Sequence, residues 1–199
     1  MSSTIVEHAH EHELEPHIRI GRARAAVIMF IISDVLSIFA IMAAGGYLSA
    51  LNTENQFRTG GDHAPTLLPG ILVAIALALS GLVYYWWSRR AARFGETGPL
   101  AFFMLSLLFM VLALVGQTWV TASLGYTSQP YHAYESVLML ITWFTWVHFL
   151  LAIIIGLLVT GRILRGRLAG FGFIAEVTGY WWYYTILSAL LLWVISLVL

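Results

Sequence analysis

The sequence predicts an all-α, polytopic membrane protein with five transmembrane helices, its amino end cytoplasmic and its carboxyl end outside. Three observations predict this class. Of 199 residues, 60% are hydrophobic and only 10% are charged, where ordinary soluble domains run near ~25% charged. Five stretches reach the roughly 20 apolar residues that a helix rising ~1.5 Å per residue needs to cross a hydrocarbon layer ~30 Å thick. The basic residues, ten in number and all arginine, alternate between the ends of those stretches. The net charge of zero argues against a nucleic-acid partner, which would require a basic face. With no cysteine, disulfides, thiolate metal sites and cysteine nucleophiles are excluded together.

The predicted organisation is a His/Glu-rich cytoplasmic tail, residues 1–24, followed by a membrane domain, residues 25–199. The tail is acidic and histidine-rich to His17, unlike the basic start and short apolar run of a cleavable signal, and a mobile segment is expected there. The first span, about 25–50, is the only one to carry an acid, Asp34. The second, about 67–88, is uncharged and ends in Tyr84, Tyr85, Trp86 and Trp87, residue types suited to the lipid–water interface. The third, about 100–122, contains Gln117. The fourth, about 136–160, contains His148, the sole histidine inside a span. The fifth, about 178–199, closes the chain. Nothing alternates with the ten-residue period of a membrane β-barrel, and the joining loops are too short for a soluble domain.

Arginines near span ends are retained on the cytoplasmic side. Arg19, Arg22 and Arg24 precede the first span, Arg89, Arg90 and Arg93 follow the second, and Arg162, Arg165 and Arg167 follow the fourth. Only Arg58 falls on the other side, so five spans give a self-consistent orientation. Arg19, Arg22, Arg24, Arg89, Arg90 and Arg93 are therefore candidates for anionic lipid head groups.

Asp34 is the residue that composition does not explain. A carboxylate deep in a spanning helix costs ~2.5 to 3.5 kcal/mol on insertion scales, so it should face protein or a water-filled cavity. Ser37, three residues on, shares its face. The group is either proton-linked or a hydrogen-bonded tie between helices. His148, with Thr145 on its own face, reads first as an interhelical hydrogen-bond partner, since a haem held here in bis-histidine fashion would need a second intramembrane histidine. Gln117 reads as similar polar glue. Glu135 and Glu176 suit helix amino ends through the dipole. His8, His10 and His12, with His17 nearby, are weak candidates for a divalent metal, although their spacing matches no closed zinc site. Small-residue stripes, Ala74 with Ala78, Ala76 with Ser80, Ala40 with Ala44, and Gly45, predict close helix packing. No nucleophile elbow, phosphate loop or dinucleotide fingerprint is present, and no internal repeat marks a transporter.

The run Ile31-Ile32-Ser33-Asp34-Val35-Leu36-Ser37-Ile38-Phe39 resembles a segment of subunit III of the haem–copper oxidases, reading roughly Leu-Ala-Ser-Glu/Asp-Val-Met-Phe-Phe, with Asp34 on the family's intramembrane carboxylate. Gly116-Gln117 is similar to the family's Gly followed by Gln or Glu. His148 falls on the second histidine of a His-Gly-x-His, and Gly179-Tyr180-Trp181-Trp182-Tyr183-Tyr184 is similar to the Tyr-Trp-His-Phe start of the last helix. Trp182, Thr185 and Thr145 stand where the family has histidine, an acid and histidine. The five-span plan matches the short form of the subunit.

The resemblance implies a non-catalytic accessory subunit of a respiratory electron-transport complex in a bacterial or archaeal plasma membrane. It would bind no redox centre itself, with haem and copper in the catalytic subunit I that it flanks. It would hold phospholipid in a cleft between its first two helices and the last three, and support proton uptake and the stability of the catalytic subunit. Two other readings stay open: a small proton-coupled carrier, supported by an intramembrane acid and histidine, and an accessory subunit of a nitric oxide reductase.

Overall fold

A computed structural model describes residues 16–52, 57, 65–94, 100–125, 132–166 and 172–199, with the side chains of 16 and 92–94 outside the description. Within these residues the chain forms five helices: α1 (Pro16–Ala50), α2 (Leu67–Phe94), α3 (Leu100–Ser123), α4 (Ala133–Leu164) and α5 (Phe173–Val198). All five are long and apolar enough to cross a membrane. The chain is a multi-pass, all-helical membrane protein.

Each helix overruns the apolar stretch that predicts it. α1 starts at Pro16 rather than near Ala25, so residues 16–24, expected in the tail, are helical and Arg19, Arg22 and Arg24 ride on the opening turns. Proline suits the first turn of a helix, where its missing N–H has no partner to lose. α2 continues past Ser88 to Phe94 through Arg89, Arg90 and Arg93. α4 runs from Ala133 to Leu164, and α5 begins at Phe173. For α1 and α2 the reason is shared: hydropathy marks only the part of a helix inside hydrocarbon, whereas alanine and arginine propagate the backbone ladder beyond it. His8, His10 and His12 lie outside the described residues.

Helices α2, α3, α4 and α5 close into a four-membered ring in which each touches the next, α2 against α3, α3 against α4, α4 against α5, and α5 against α2. α1 stands outside this ring in the groove between α4 and α5, and among the described residues it makes no close approach to α2 or α3. The expected division into two helices facing three is thus corrected to one facing four. Among the described residues a cleft of that partition does not exist, because α2 is a full member of the bundle.

Close contacts between helices are made by small residues. Ser80 of α2 donates to the carbonyl of Ser106 at 2.9 Å, and Ser106 of α3 returns a bond to the carbonyl of Ser80 at 2.8 Å. Trp182 of α5 donates its indole N–H to Ser80 Oγ at 3.0 Å. A methyl group added at Gly156 would lie 2.7 Å from Leu107, and one at Gly70 would lie 2.1 Å from the indole nitrogen of Trp193. Of the predicted stripes, Ala76, Ser80 and Gly45 are buried, whereas Ala40, Ala44 and Ala78 face outward.

The aromatic end of α2 divides by helical period. Tyr84 and Trp87, three apart, are fully buried with Phe103 and Trp182, while Tyr85 and Trp86 are exposed. Tyr84 stacks on Trp182 at 5.2 Å and donates to the carbonyl of Ala175 at 2.7 Å, tying α2 to α5. Only Tyr85 and Trp86 are exposed, as the interfacial role expected of all four requires.

Candidate functional site

Three helices each contribute one polar side chain to a cluster in the groove where α1 lies against α4 and α5: Asp34 from α1, His148 from α4 and Tyr184 from α5. His148 Nε2 lies 2.6 Å from Asp34 Oδ2, and the Tyr184 hydroxyl donates to the same oxygen. His148 Nδ1 lies 2.7 Å from the carbonyl oxygen of Phe144, one turn earlier in α4. The imidazole is sandwiched: the Phe144 ring is 4.4 Å away and the Trp181 ring is stacked on it at 5.4 Å. Trp181 in turn packs on Phe30 of α1 at 5.0 Å.

This geometry fixes the proton inventory. A carbonyl oxygen only accepts, so His148 Nδ1 must carry a hydrogen and donate it to Phe144. The short contact between Nε2 and Asp34 Oδ2 then needs one further proton, held either by the carboxyl or by the imidazole. In both arrangements the pair is neutral overall, as neutral acid and neutral base or as carboxylate and imidazolium. Adding or removing a proton would leave a net charge in an apolar setting, which is the costly state. The cluster is a one-proton, three-helix tie. It is not equally closed on all sides: the Asp34 side chain keeps 15% of its surface exposed against 4% for His148.

The sequence-derived candidates separate on this geometry. Asp34 and His148, 114 positions apart, are direct partners. Ser37 is exposed and bonds to the carbonyl of Ser33 on its own helix at 3.3 Å, so it does not join Asp34. Thr145 likewise bonds back to Ile141 at 2.9 Å. Gln117 is half-buried on α3, a helix that makes no close approach to α1, and its carbonyl accepts from Thr121 at 2.8 Å. Tyr184 is the member that sequence reasoning missed. The predicted alternation of spans starts the first and fifth from the same end, but which of their residues share a depth follows from the Arg24–Glu176 contact, which is not visible in the sequence.

A second polar group ties α1 to α5 at that end. Arg24 pairs with Glu176 at 2.7 Å, and Tyr180 donates its hydroxyl to the other oxygen of the same carboxylate. Arg24, a candidate for lipid head groups, pairs with a protein carboxylate while about half of its side chain stays exposed, and Glu176 has a partner besides the helix dipole. Arg22 is exposed, and the Arg19 guanidinium lies 6.0 Å from the Phe173 ring. Arg89 and Arg90 lie over the rings of Tyr85 and Phe102 at 5.1 Å and 4.9 Å. The side chain of Arg93 lies outside the described residues. Among the described residues no group of three histidine, cysteine or acidic side chains is placed to hold a metal ion.

No family model matches the chain, and no curated protein matches it.

Proposed function

We propose that this chain is a non-catalytic accessory subunit of a membrane respiratory oxidoreductase of the haem–copper oxidase kind, seated against a catalytic subunit that holds the haem and copper. The observation that carries the reading is the 2.6 Å contact between Asp34 and His148. Each residue separately resembles a polar position of subunit III, in different helices, and their contact joins the two positions into one site. A buried one-proton cluster suits a subunit that supports proton uptake by its partner, since the proton shared by Asp34 and His148 can shift from one to the other without changing the net charge of the pair. The same tie holds α1 to the bundle, and a subunit that braces a catalytic neighbour needs such a fixed helix.

In this reading the complex lies in a bacterial or archaeal plasma membrane, and the chain's lipid contacts are with phospholipid at its arginine-bearing end. Extraction in mild detergent, followed by a haem spectrum and mass spectrometry of the co-purifying chains, tests the proposal. Co-elution with haem-bearing subunits is expected. A haem-free homo-oligomer that moves solute with protons in liposomes would overturn it in favour of a carrier. A partner that reduces nitric oxide would keep the accessory role and change the parent complex.

A further inference from the structure

At the end of the bundle remote from the arginines, a cavity of about 160 Å³ lies between the close of α3 and the first half of α4, lined by Thr121, Leu124, Met139, Thr142, Trp143 and Trp146. None of these side chains is charged. Thr142 is only 7% exposed, yet among the described residues its hydroxyl makes no hydrogen bond. The other two threonines of α4 behave differently: Thr145 and Thr160 each donate to a carbonyl one turn back, at 2.9 Å. That back-bond is the ready solution for a threonine in an apolar helix, and a buried hydroxyl left without a partner is costly. We propose that this cavity binds a neutral, membrane-soluble six-membered ring bearing a carbonyl oxygen, with Thr142 donating to the carbonyl and Met139, Trp143 and Trp146 walling the ring.

Each feature of the lining narrows the ligand. A charged group would sit here without a counter-charge, which an apolar setting penalises heavily. A dry, apolar cavity of about 150 Å³ in a protein interior takes up one benzene ring, so a volume of about 160 Å³ admits a single ring and leaves no room for a fused polycycle. Indole rings and a thioether favour the π-face of a ring over a flexible aliphatic chain. The polar requirement comes from the donors. Thr121 already spends its proton on the carbonyl of Gln117 at 2.8 Å, and an indole can only donate, so the ligand must supply an acceptor for the unspent proton of Thr142. Trp143 is 62% exposed, which opens the cavity sideways to the bilayer, the route by which an uncharged ring would enter.

The site stands or falls separately from any haem-bearing partner, because it needs only the full chain. The test follows carbon-13-labelled methionine methyl groups of that chain in deuterated detergent micelles. Met139 reports from the cavity wall, and its signal among those of the six methionines is identified by its loss in Met139→Leu. Acetophenone and ethylbenzene, nearly identical in shape, differ by a carbonyl in place of a methylene. Both should move the Met139 signal saturably. The two probes partition differently into micelles, so the ratio of their half-saturating concentrations is compared between the wild type and its variants. Thr142→Val keeps the shape and removes the hydroxyl, and should cut the advantage of acetophenone on the order of ten-fold. Thr142→Ser keeps a hydroxyl and should preserve it, while the other methionine signals report whether each variant keeps its fold. A ratio unchanged by Thr142→Val, or reduced as much by Thr142→Ser, would overturn the proposal. So would an unsaturable drift of all the methionine signals together, which marks solution in the micelle, or a response to decane as strong as that to acetophenone, which marks a groove for acyl-chain ends. Acetophenone carrying a decyl chain separates the two sources of such a ring: binding at Met139 assigns a tailed, membrane-borne compound and exclusion a small free one, and either result keeps the carbonyl ligand.

Discussion

Asp34 offers the sharpest test of the fold and of its chemistry, through a double-mutant cycle of Asp34→Leu with His148→Leu. Asp34→Leu leaves two orphans, His148 Nε2 and the Tyr184 hydroxyl, both of which now bond to one carboxyl oxygen. Hydrogen bonds between membrane helices average ~0.6 kcal/mol with a maximum near ~1.7, while breaking a buried charge-capable pair by removing one partner costs ~3 to 5 kcal/mol. A loss of roughly 2 to 4 kcal/mol is therefore expected for Asp34→Leu. Removing His148 as well abolishes the orphaned imidazole, so the second substitution should cost less in the variant than in the wild type, with a coupling on the order of 1 to 3 kcal/mol. Denaturation of the purified chain in mixed micelles, followed by far-ultraviolet circular dichroism, measures all four corners. Asp34→Asn gives an intermediate case. An amide nitrogen in place of Oδ2 can still donate to Nε2, but it cannot accept from Tyr184, so one bond is lost and one survives. Additivity of the Leu variants within ~0.3 to 0.5 kcal/mol would refute a direct Asp34–His148 interaction and, with it, the one-proton argument.

Other parts of the bundle make their own predictions. Tyr84→Phe removes the donor to the Ala175 carbonyl and should destabilise the protein by about 1 kcal/mol, read by the same denaturation assay, with the α2–α5 contact loosened. Gly156→Leu forces side-chain atoms into Leu107 and Trp182 and should cost at least ~1 to 3 kcal/mol, whereas Gly161→Leu, with nothing within 4 Å of the added carbon, should be near neutral. Exchanging the charges at the α1–α5 tie tests its electrostatics: Arg24→Glu alone should lower the melting temperature, and adding Glu176→Arg should restore part of the loss, with the difference shrinking at high salt because both groups are exposed.

The spans were legible because hydropathy is a local property, and each of the five helices covers all or all but the last residue of the stretch that predicts it. Helix ends were not, because the Arg-bearing turns at Arg19 to Arg24 and Arg89 to Arg93 are helical without being apolar. Packing order was hidden for a different reason. Nothing in the composition of α1 says that it lies against α4 and α5 instead of its neighbour in sequence, since every face of every span is apolar enough for lipid. Within the site, Asp34 and His148 stood out because each is expensive in hydrocarbon, but Tyr184 did not, since a tyrosine in a span is common and its hydroxyl can be accommodated in many ways. Ser37 was misleading for the converse reason. The i+3 rule put it beside Asp34, yet a serine hydroxyl in a helix finds its nearest acceptor in a carbonyl one turn back, and Ser33 supplies it.

Why α1 carries an expensive carboxyl at all follows from its place in the bundle. Between two helices in lipid, apolar contact is not distinguished from contact with acyl chains, so it specifies neither register nor rotation. Among the described residues α1 touches only α4 and α5 and has no third neighbour to confine it. Directional bonds at Arg24–Glu176 and at Asp34–His148–Tyr184 fix its position at two depths, and Gly45, whose added carbon would lie 3.4 Å from Leu199, marks a third. Replacing the whole cluster at once, by Asp34→Leu, His148→Leu and Tyr184→Phe, should then retain much of the stability, as happens when buried ion pairs are exchanged for apolar groups, while losing the register. The chain has no cysteine, so Gly45→Cys with Leu199→Cys reports that register directly. Rapid disulfide formation under mild oxidation is expected in the otherwise unaltered chain, and slow or incomplete formation in the apolar-cluster variant. Equal cross-linking in both would show that the Asp34 cluster is not needed to seat α1, leaving that role to Arg24–Glu176 and the packing around Gly45.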